Sequence, residues 1–380
     1  MIQFNFVKNN LQGRFTLFSS VIIILCLLLA GCIKSPNGLE IHTQFIDLKE
    51  PWLEASPADV NIDSTALKNA DTRASQKSSF LSLLVVRNGF LVHESYFNGN
   101  DKEQLNDIRS VTKSIVCALT GIALEEGYIH SIDETLGDYL SPQMAALNSE
   151  TEQIKIRHLL TMTAGFQWDE MSGPSYNNWV RSNKTINYVL EQPLTDTPGS
   201  IFTYNSGTTH ILGVLLQEAV KMPLPDFADK CLLSKIGISR RQWEILEDGH
   251  ANGGAGLDLR PRDMAKFGQL YLQQGKNLQE QIIPASWIEK TTKPHFNRRS
   301  NYGALKNHSY GHLWWTFDTQ ANAGYFAWGW GGQHIFNVPS RNLVIVTTTD
   351  FRNLGPDGGS DVMMRFVLEL ILDYVLPGVN

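Results

Sequence analysis

The order of strand and helix patterns along the chain restricts its fold more than any other feature. Phe80–Arg87 and Phe90–Tyr96 are apolar, β-branched segments joined by Asn88-Gly89, a pair typical of a type I′ turn, and together they predict a β-hairpin. Helix patterns and loops then fill most of residues 135–300, and strand patterns return only afterwards. A sheet must therefore be assembled from two distant parts of the chain, with the helical middle inserted between them.

The remaining patterns complete this α/β (α+β) prediction. Helices outside the middle are expected at residues 63–76, 111–127 and 361–375. Late strands are expected at residues 312–317, 324–328, 334–338 and 343–349. The predicted architecture is an antiparallel sheet with flanking helices and a helical subdomain inserted at about residues 135–300.

The first 31 residues have the pattern of an export signal. Lys8 and Arg14 precede an apolar run at residues 21–30, which is short for a bilayer span. The run ends in Leu29-Ala30-Gly31-Cys32, which resembles the lipobox of bacterial lipoprotein signal peptides. That resemblance implies cleavage before Cys32 and a lipid on its thiol, which would anchor the protein to an inner or outer membrane of the bacterial cell envelope. An ordinary secretory signal or an uncleaved anchor is the alternative.

Residues 32–60 are mixed, contain prolines and lack a clear period, so they predict a tether before one domain at residues 61–380.

Composition excludes several other classes of protein. A hydrophobic content of 42% indicates a globular chain, and a net charge of −6 without a Lys/Arg run argues against nucleic-acid binding. Beyond the leader only Cys117 and Cys231 remain, too few for a disulfide framework or a Cys-rich zinc site. No metal or other cofactor is expected.

Ser110-Val111-Thr112-Lys113 is the segment with the clearest catalytic pattern, and it opens a predicted helix. Residues three apart lie on one helix face, so the Lys113 amine can reach the Ser110 hydroxyl. A serine needs a base to become a nucleophile, and burial together with the positive end of the helix would lower the pKa of Lys113 enough for that role. A helix cap with a solvated lysine is the alternative.

Three other segments are candidates for the same site. Tyr204-Asn205-Ser206 precedes a predicted helix, and Gly329-Trp330-Gly331-Gly332-Gln333 leads into a strand, where glycines allow a backbone to approach a substrate. The loop at residues 166–181 is rich in aromatic residues and includes Trp168, which could line a cleft or pack the helical subdomain.

Together these motifs resemble the serine β-lactamase and penicillin-binding superfamily, in particular its class C-like branch of esterases, D-amino-acid peptidases and 6-aminohexanoate-dimer hydrolases. The resemblance extends from about residue 63 to residue 375. Besides the motifs that begin at Ser110, Tyr204 and Gly329, it includes the segments at residues 85–89, 157–165, 259–268 and 310–315.

The resemblance implies a role for each motif residue. Ser110 would be acylated by a small ester or amide substrate, with Lys113 and Tyr204 as partners in proton transfer. Which of these two removes the serine proton stays open. Ser206 would support them by hydrogen bonding, and the backbone N–H groups of Ser110 and Gln333 would form the oxyanion hole.

One departure from the superfamily concerns the substrate. The segment Trp330-Gly331-Gly332 is aligned with the usual Lys-Thr-Gly, so a tryptophan stands where a cation would hold a substrate carboxylate. These three residues are predicted to contact the substrate, with weak or absent β-lactam hydrolysis. The alternatives are a D,D-peptidase of the penicillin-binding type and a non-catalytic envelope binding protein.

Overall fold

The computed structural model describes residues 33–34, 40–41, 45–141, 145–296, 299–319 and 321–380. The predicted signal segment and its lipidation residue Cys32 lie outside these residues. Within the described ranges, no helix combines the length and the apolar character that crossing a membrane requires.

Eight strands form one antiparallel sheet, in the order β10-β11-β12-β13-β14-β15-β3-β4. The hairpin predicted early in the sequence occupies one edge, and the late strands supply the rest. The strands of the described residues are β1 (Ile33–Lys34), β2 (Glu40–Ile41), β3 (Phe80–Arg87), β4 (Phe90–Tyr96), β5 (Asn106–Asp107), β6 (Gln242–Trp243), β7 (Leu257–Leu259), β8 (Lys276–Asn277), β9 (Glu280–Gln281), β10 (Ser300–Tyr302), β11 (Leu305–Tyr310), β12 (Trp315–Thr319), β13 (Asn322–Gly329), β14 (Gln333–Val338) and β15 (Leu343–Thr349).

Helices cover both faces of this sheet, which explains why its central strands are apolar along their whole length. In β15, Val344 and Val346 face one core, and Leu343 and Ile345 face the other. The α-helices of the described residues are α1 (Ser64–Ala74), α2 (Thr112–Glu125), α3 (Ile156–Leu160), α4 (Ser175–Val180), α5 (Thr185–Leu190), α6 (Ser206–Val220), α7 (Leu224–Ala228), α8 (Pro261–Leu272), α9 (Ala285–Thr291) and α10 (Ser360–Glu369).

The two cores differ in which part of the chain fills them. Helices α1 and α10, from the two ends of the domain, pack on one face through residues such as Leu67 and Phe366. Helices α2, α6 and α8 contribute to the other core, where the first turn of α2 meets the end of β13. That meeting point holds the site described below.

Two boundaries differ from the sequence-based expectation. Residues 45–60, predicted to be tether, are packed on the domain: Leu48 is 1% exposed, its backbone N–H donates to Asn277 Oδ1 at 2.8 Å, and the Trp52 indole donates to the carbonyl of Arg262. The segment lacks a clear period because its backbone bonds are of several kinds: distant side chains accept from Ile46 and Leu48, Leu53 and Ala55 pair with Leu91 of β4, and Pro57–Val60 form a 3₁₀ helix.

The predicted helical insertion is also only partly helical. It includes β6 and β7, which join β5 in a small sheet, and α8 packs directly on the large sheet, where Gly268 lies against Val344 and Ile335. The strand predicted at residues 312–317 begins later than expected, as β12 at Trp315–Thr319. The chain turns between β11 and β12, and a Cβ on Gly311 would lie 2.2 Å from the carbonyl oxygen of Thr291.

Candidate active site

Ser110 lies in a single 3₁₀ turn, Arg109–Val111, that leads directly into α2. Arg109 has a positive φ of 49°, which is rare for a residue with a side chain, and its backbone N–H donates to Asp107 Oδ1 at 2.8 Å. This bond helps to hold the turn that presents Ser110 at the N-terminal end of the helix. Free N–H groups and the helix dipole favour negative charge there.

Lys113 is 1% exposed, and its ammonium group has a partner for each of its three protons. Nζ donates to Ser110 Oγ at 2.8 Å, to Ser206 Oγ at 2.7 Å and to the Gly254 carbonyl at 2.7 Å. Burial lowers the pKa of Lys113 to about 8, against the opposing effect of the Glu170 carboxylate. An amine with this pKa can exchange a proton near neutral pH.

Tyr204 lies on the other side of the same amine. Lys113 Nζ is 4.9 Å from the centroid of the Tyr204 ring, which stacks on Trp315 at 6.0 Å. Burial raises the pKa of the Tyr204 phenol above its usual value, and the Glu170 carboxylate raises it further, although the Ser110 hydroxyl lowers it. The neutral phenol is therefore favoured, although the Lys113 amine lies close to the ring.

Glu170 is a charged residue of the site that the sequence did not single out. Its carboxylate accepts hydrogen bonds from the Ser206 backbone N–H at 2.6 Å, from the Ser206 hydroxyl, and from the Trp168 indole at 3.0 Å. Ser206 is the first residue of α6, so Glu170 also neutralises a helix N-terminus. The Gly254 carbonyl was missed too, and a backbone acceptor has no side-chain signal.

The hairpin after β13 differs from the sequence-based assignment. Gln333, whose backbone N–H is expected in the oxyanion hole, is fully buried and is not among the described residues that line the cavity, and its side chain donates to Thr349. Gly329 instead lies against the 3₁₀ turn Arg109–Val111, called the nucleophile turn below because it contains Ser110. A Cβ built on Gly329 would be 2.4 Å from the Ile108 carbonyl oxygen and 3.1 Å from Arg109 Cβ. Gly329 and Trp330, the next residue, line the cavity together with Ser110.

Gly331 and Gly332 form the turn and not the substrate surface. Both have positive φ, 84° and 117°. A Cβ on Gly331 would lie 3.0 Å from Phe351 Cβ, and a Cβ on Gly332 would lie 2.8 Å from Val367 Cγ2. Of the three residues aligned with Lys-Thr-Gly, only Trp330 is among the residues that line the described cavity. The structure thus places neither glycine at the cavity, and both positive φ values suit glycine in the turn itself.

Trp168 is likewise a packing residue. It is buried against Trp179 and Tyr188, with ring centroids 6.4 Å and 6.3 Å away, and it is not among the described residues that line the cavity. The alternative considered for this loop, packing of the helical region, is the one observed for Trp168. Another aromatic residue of the same loop region, Tyr176, does reach the cavity.

The cavity above Ser110 has a volume of about 680 Å³ and is mainly aromatic. Its charged lining residues include Arg109 and Glu170. The Arg109 guanidinium donates to the Tyr176 hydroxyl at 2.9 Å and lies 3.4 Å from Asp107 Oδ2. The cavity therefore contains a cation, the Arg109 guanidinium. It belongs to the turn that contains Ser110, and it is already paired with Asp107 and Tyr176. The aromatic wall consists of Tyr176, Phe202, Tyr204, Tyr302, Trp315, Trp328, Trp330 and Phe351.

An accessible serine hydroxyl that is hydrogen-bonded to a buried lysine of lowered pKa, at a helix N-terminus beside a sheet, is the arrangement of a serine hydrolase. The protein is of that class. The chain belongs to the Beta-lactamase family, whose model matches residues 70–363.

Individual relatives are distant in sequence. The chain is 20% identical to the 6-aminohexanoate-dimer hydrolase of Paenarthrobacter ureafaciens over 331 residues, covering 81% of this chain and 82% of that protein. It is 22% identical to Protein flp of Staphylococcus aureus over 190 residues, and this match spans only 38% of that protein's length.

Among solved structures, a Bacillus anthracis protein with the provisional name 6-aminohexanoate-dimer hydrolase superposes with a TM-score of 0.68 at 21% identity, covering 87% of this chain and 90% of that one. At such identities the likeness shows the fold. The β-lactamase/transpeptidase-like architecture expected from the sequence is confirmed.

Proposed function

We propose that the protein hydrolyses a small ester or amide through an acyl-enzyme formed on Ser110. The observation that carries this proposal is the 2.8 Å hydrogen bond between Lys113 Nζ and Ser110 Oγ at the base of an open cavity. Lys113, as the neutral amine, accepts the Ser110 proton while the hydroxyl oxygen attacks the substrate carbonyl carbon. The neutral phenol of Tyr204 is suited to donating a proton to the leaving alcohol or amine.

The tetrahedral intermediate requires donors for its oxyanion. We assign this role to the backbone N–H groups of Ser110 and Trp330, in place of Gln333, because Trp330 follows the glycine that lies against the nucleophile turn. Collapse of the intermediate expels the leaving group and forms the ester with Ser110 Oγ. Water then attacks this ester and gives a proton to the Tyr204 phenolate, Lys113 returns its proton to Ser110 Oγ, and the acid product leaves.

The aromatic wall favours an acyl or leaving group that is apolar. Arg109, a cation in the cavity, already contacts the Asp107 carboxylate and the Tyr176 hydroxyl, and its charge is 4.5 Å from the centroid of the Phe351 ring. A substrate carboxylate would have to compete with these partners. Uncharged esters and amides are therefore the proposed substrates, with weak or absent turnover of β-lactams.

The place of action is a further part of the proposal. The lipobox-like segment that ends at Cys32 supports attachment to a membrane of the bacterial cell envelope through lipid on that thiol. Radiolabelled palmitate incorporated by the wild type and lost in Cys32→Ala is the expected result. Incorporation that persists in Cys32→Ala would argue against this anchor.

A fluorophosphonate probe followed by mass mapping tests the mechanism. Label is expected on Ser110 of the wild type and absent from Ser110→Ala, with Ser114→Ala, one turn further along α2, as the matched control. Label that maps elsewhere would remove the mechanism. Turnover of a p-nitrophenyl ester should exceed that of a chromogenic cephalosporin, whereas a lasting covalent penicillin adduct would favour the D,D-peptidase alternative.

A further inference from the structure

Glu170 lies at one end of a hydrogen-bonded chain whose other end is Ser110. The chain runs from the Glu170 carboxylate to the Ser206 hydroxyl, then over 2.7 Å to Lys113 Nζ and over 2.8 Å to Ser110 Oγ. Glu170 comes from the loop before α4, and Ser206 from the first turn of α6. The proposed mechanism uses Ser110 and Lys113 and leaves Glu170 without a role.

The Ser206 hydroxyl has a single proton, and this fixes its direction in the chain. A carboxylate only accepts hydrogen bonds, so the hydroxyl proton of Ser206 goes to Glu170 Oε1. The Ser206 oxygen is then left to accept from Lys113. Glu170 is itself held by the Ser206 backbone N–H and the Trp168 indole, both of which donate to its Oε2.

This direction determines where the lone pair of neutral Lys113 points. A neutral amine has two N–H bonds and one lone pair. The Gly254 carbonyl can only accept, and Ser206 is held as an acceptor, so these two residues engage both N–H bonds. The lone pair is left in the third direction, toward Ser110 Oγ, whose proton it must receive.

We propose that Glu170 is a positioning residue, which orients the Ser206 hydroxyl and thereby aims the lone pair of Lys113 at Ser110. The inference rests on the proposed function, because it concerns the same proton transfer. Glu170 also acts on Lys113 through its charge. It raises the pKa of Lys113, whereas burial, the larger effect, and the Arg109 cation lower it. The remaining titratable neighbour, the Tyr204 phenol, faces Lys113 with its ring.

Glu170→Gln tests both effects, since it keeps the shape of the side chain and removes the charge. The amide can donate to Ser206, which frees the hydroxyl to turn. We expect kcat to fall on the order of tenfold, because a disoriented base loses part of its contribution. The acidic limb of the kcat/KM profile should move to lower pH, because the pKa of Lys113 falls once the carboxylate is gone. Glu191→Gln, the same change at an exposed residue that does not line the described cavity, is the control expected to leave that limb in place.

Ser206→Ala removes the middle of the chain and serves as the second variant. If Glu170 acts through Ser206, then Glu170→Gln lowers kcat much less in the Ser206→Ala background than in the wild type. An undiminished effect in that background would overturn the proposal, and so would a Glu170→Gln enzyme with the wild-type kcat and pH profile.

A measurement independent of turnover separates this inference from the proposed function. The titration of Lys113 is followed by NMR of ¹⁵N-labelled lysine side chains in the wild type and in Glu170→Gln, with Lys113→Met for assignment. A lower Lys113 pKa in Glu170→Gln supports the contact, and an unchanged value overturns it. A wild type that fails to react with the fluorophosphonate would instead count against the proposed function alone.

Discussion

Gly329 and Ile108 approach each other so closely that a Cβ on Gly329 would lie 2.4 Å from the Ile108 carbonyl oxygen. Gly329 ends β13, and Ile108 immediately precedes the nucleophile turn. The contact brings the end of the sheet to the N-terminus of α2, and it is the reason that Trp330 reaches the cavity.

Gly329→Ala should therefore separate the strand from the nucleophile turn. Because a misplacement of about 1 Å in a catalytic site costs on the order of 100-fold in rate, we expect a loss of that size in kcat. Gly355→Ala is the matched control, since nothing lies within 4 Å of a Cβ at that residue. Steady-state kinetics with a p-nitrophenyl ester measures both, and wild-type activity in Gly329→Ala would contradict the packing argument.

Lys113 should govern the pH dependence of the reaction. Its pKa is lowered to about 8, and only the neutral amine can accept the Ser110 proton, so kcat/KM should rise with pH through about pH 8 and then level off. Lys113→Met should lower kcat/KM by roughly 100-fold or more and abolish that limb. Lys68→Met, on the exposed face of α1, is expected to retain the wild-type profile. A limb that survives in Lys113→Met would point to a different base.

Tyr204→Phe isolates the phenol hydroxyl, because the ring can keep its stacking on Trp315. We expect kcat to fall by about 100-fold with little change in the free energy of unfolding, as the variant loses a proton donor and not a packing group. Kinetics and urea unfolding measured side by side test this. A large loss of stability with the wild-type kcat would assign Tyr204 to packing.

Gln333 is expected to matter for stability and not for catalysis. Its buried amide donates to the Thr349 carbonyl at 2.9 Å, and its Oε1 accepts from the Thr349 backbone N–H at 2.9 Å. Gln333→Leu leaves the buried Thr349 N–H without its acceptor, although the Thr349 carbonyl still accepts from the Phe351 N–H at 3.1 Å. The change should cost about 1–3 kcal/mol of unfolding free energy while kcat stays near the wild-type value. Gln76→Leu, on the surface, is the control. A selective fall in kcat would contradict a purely structural role for the Gln333 side chain.

Local pattern was sufficient for several elements of the fold. The hairpin β3–β4 and the strand β15 have the predicted bounds, because turn chemistry and an unbroken apolar run identify them without reference to any distant residue. The hairpin at residues 329–333 was harder. The three glycines of this segment look alike in sequence, and only packing against Ile108 distinguishes Gly329 from the two that form the turn.

By itself, the sequence determined the order of strands and helices and the one-turn spacing of Ser110 and Lys113, since both depend on the geometry of a single element. Only the tertiary structure decided which distant groups complete the environment of the Lys113 amine. The Gly254 carbonyl accepts from Lys113, and the Glu170 carboxylate accepts from the Ser206 hydroxyl that contacts Lys113. These roles depend on burial and on the direction of the hydrogen bonds, which are properties of the packed chain.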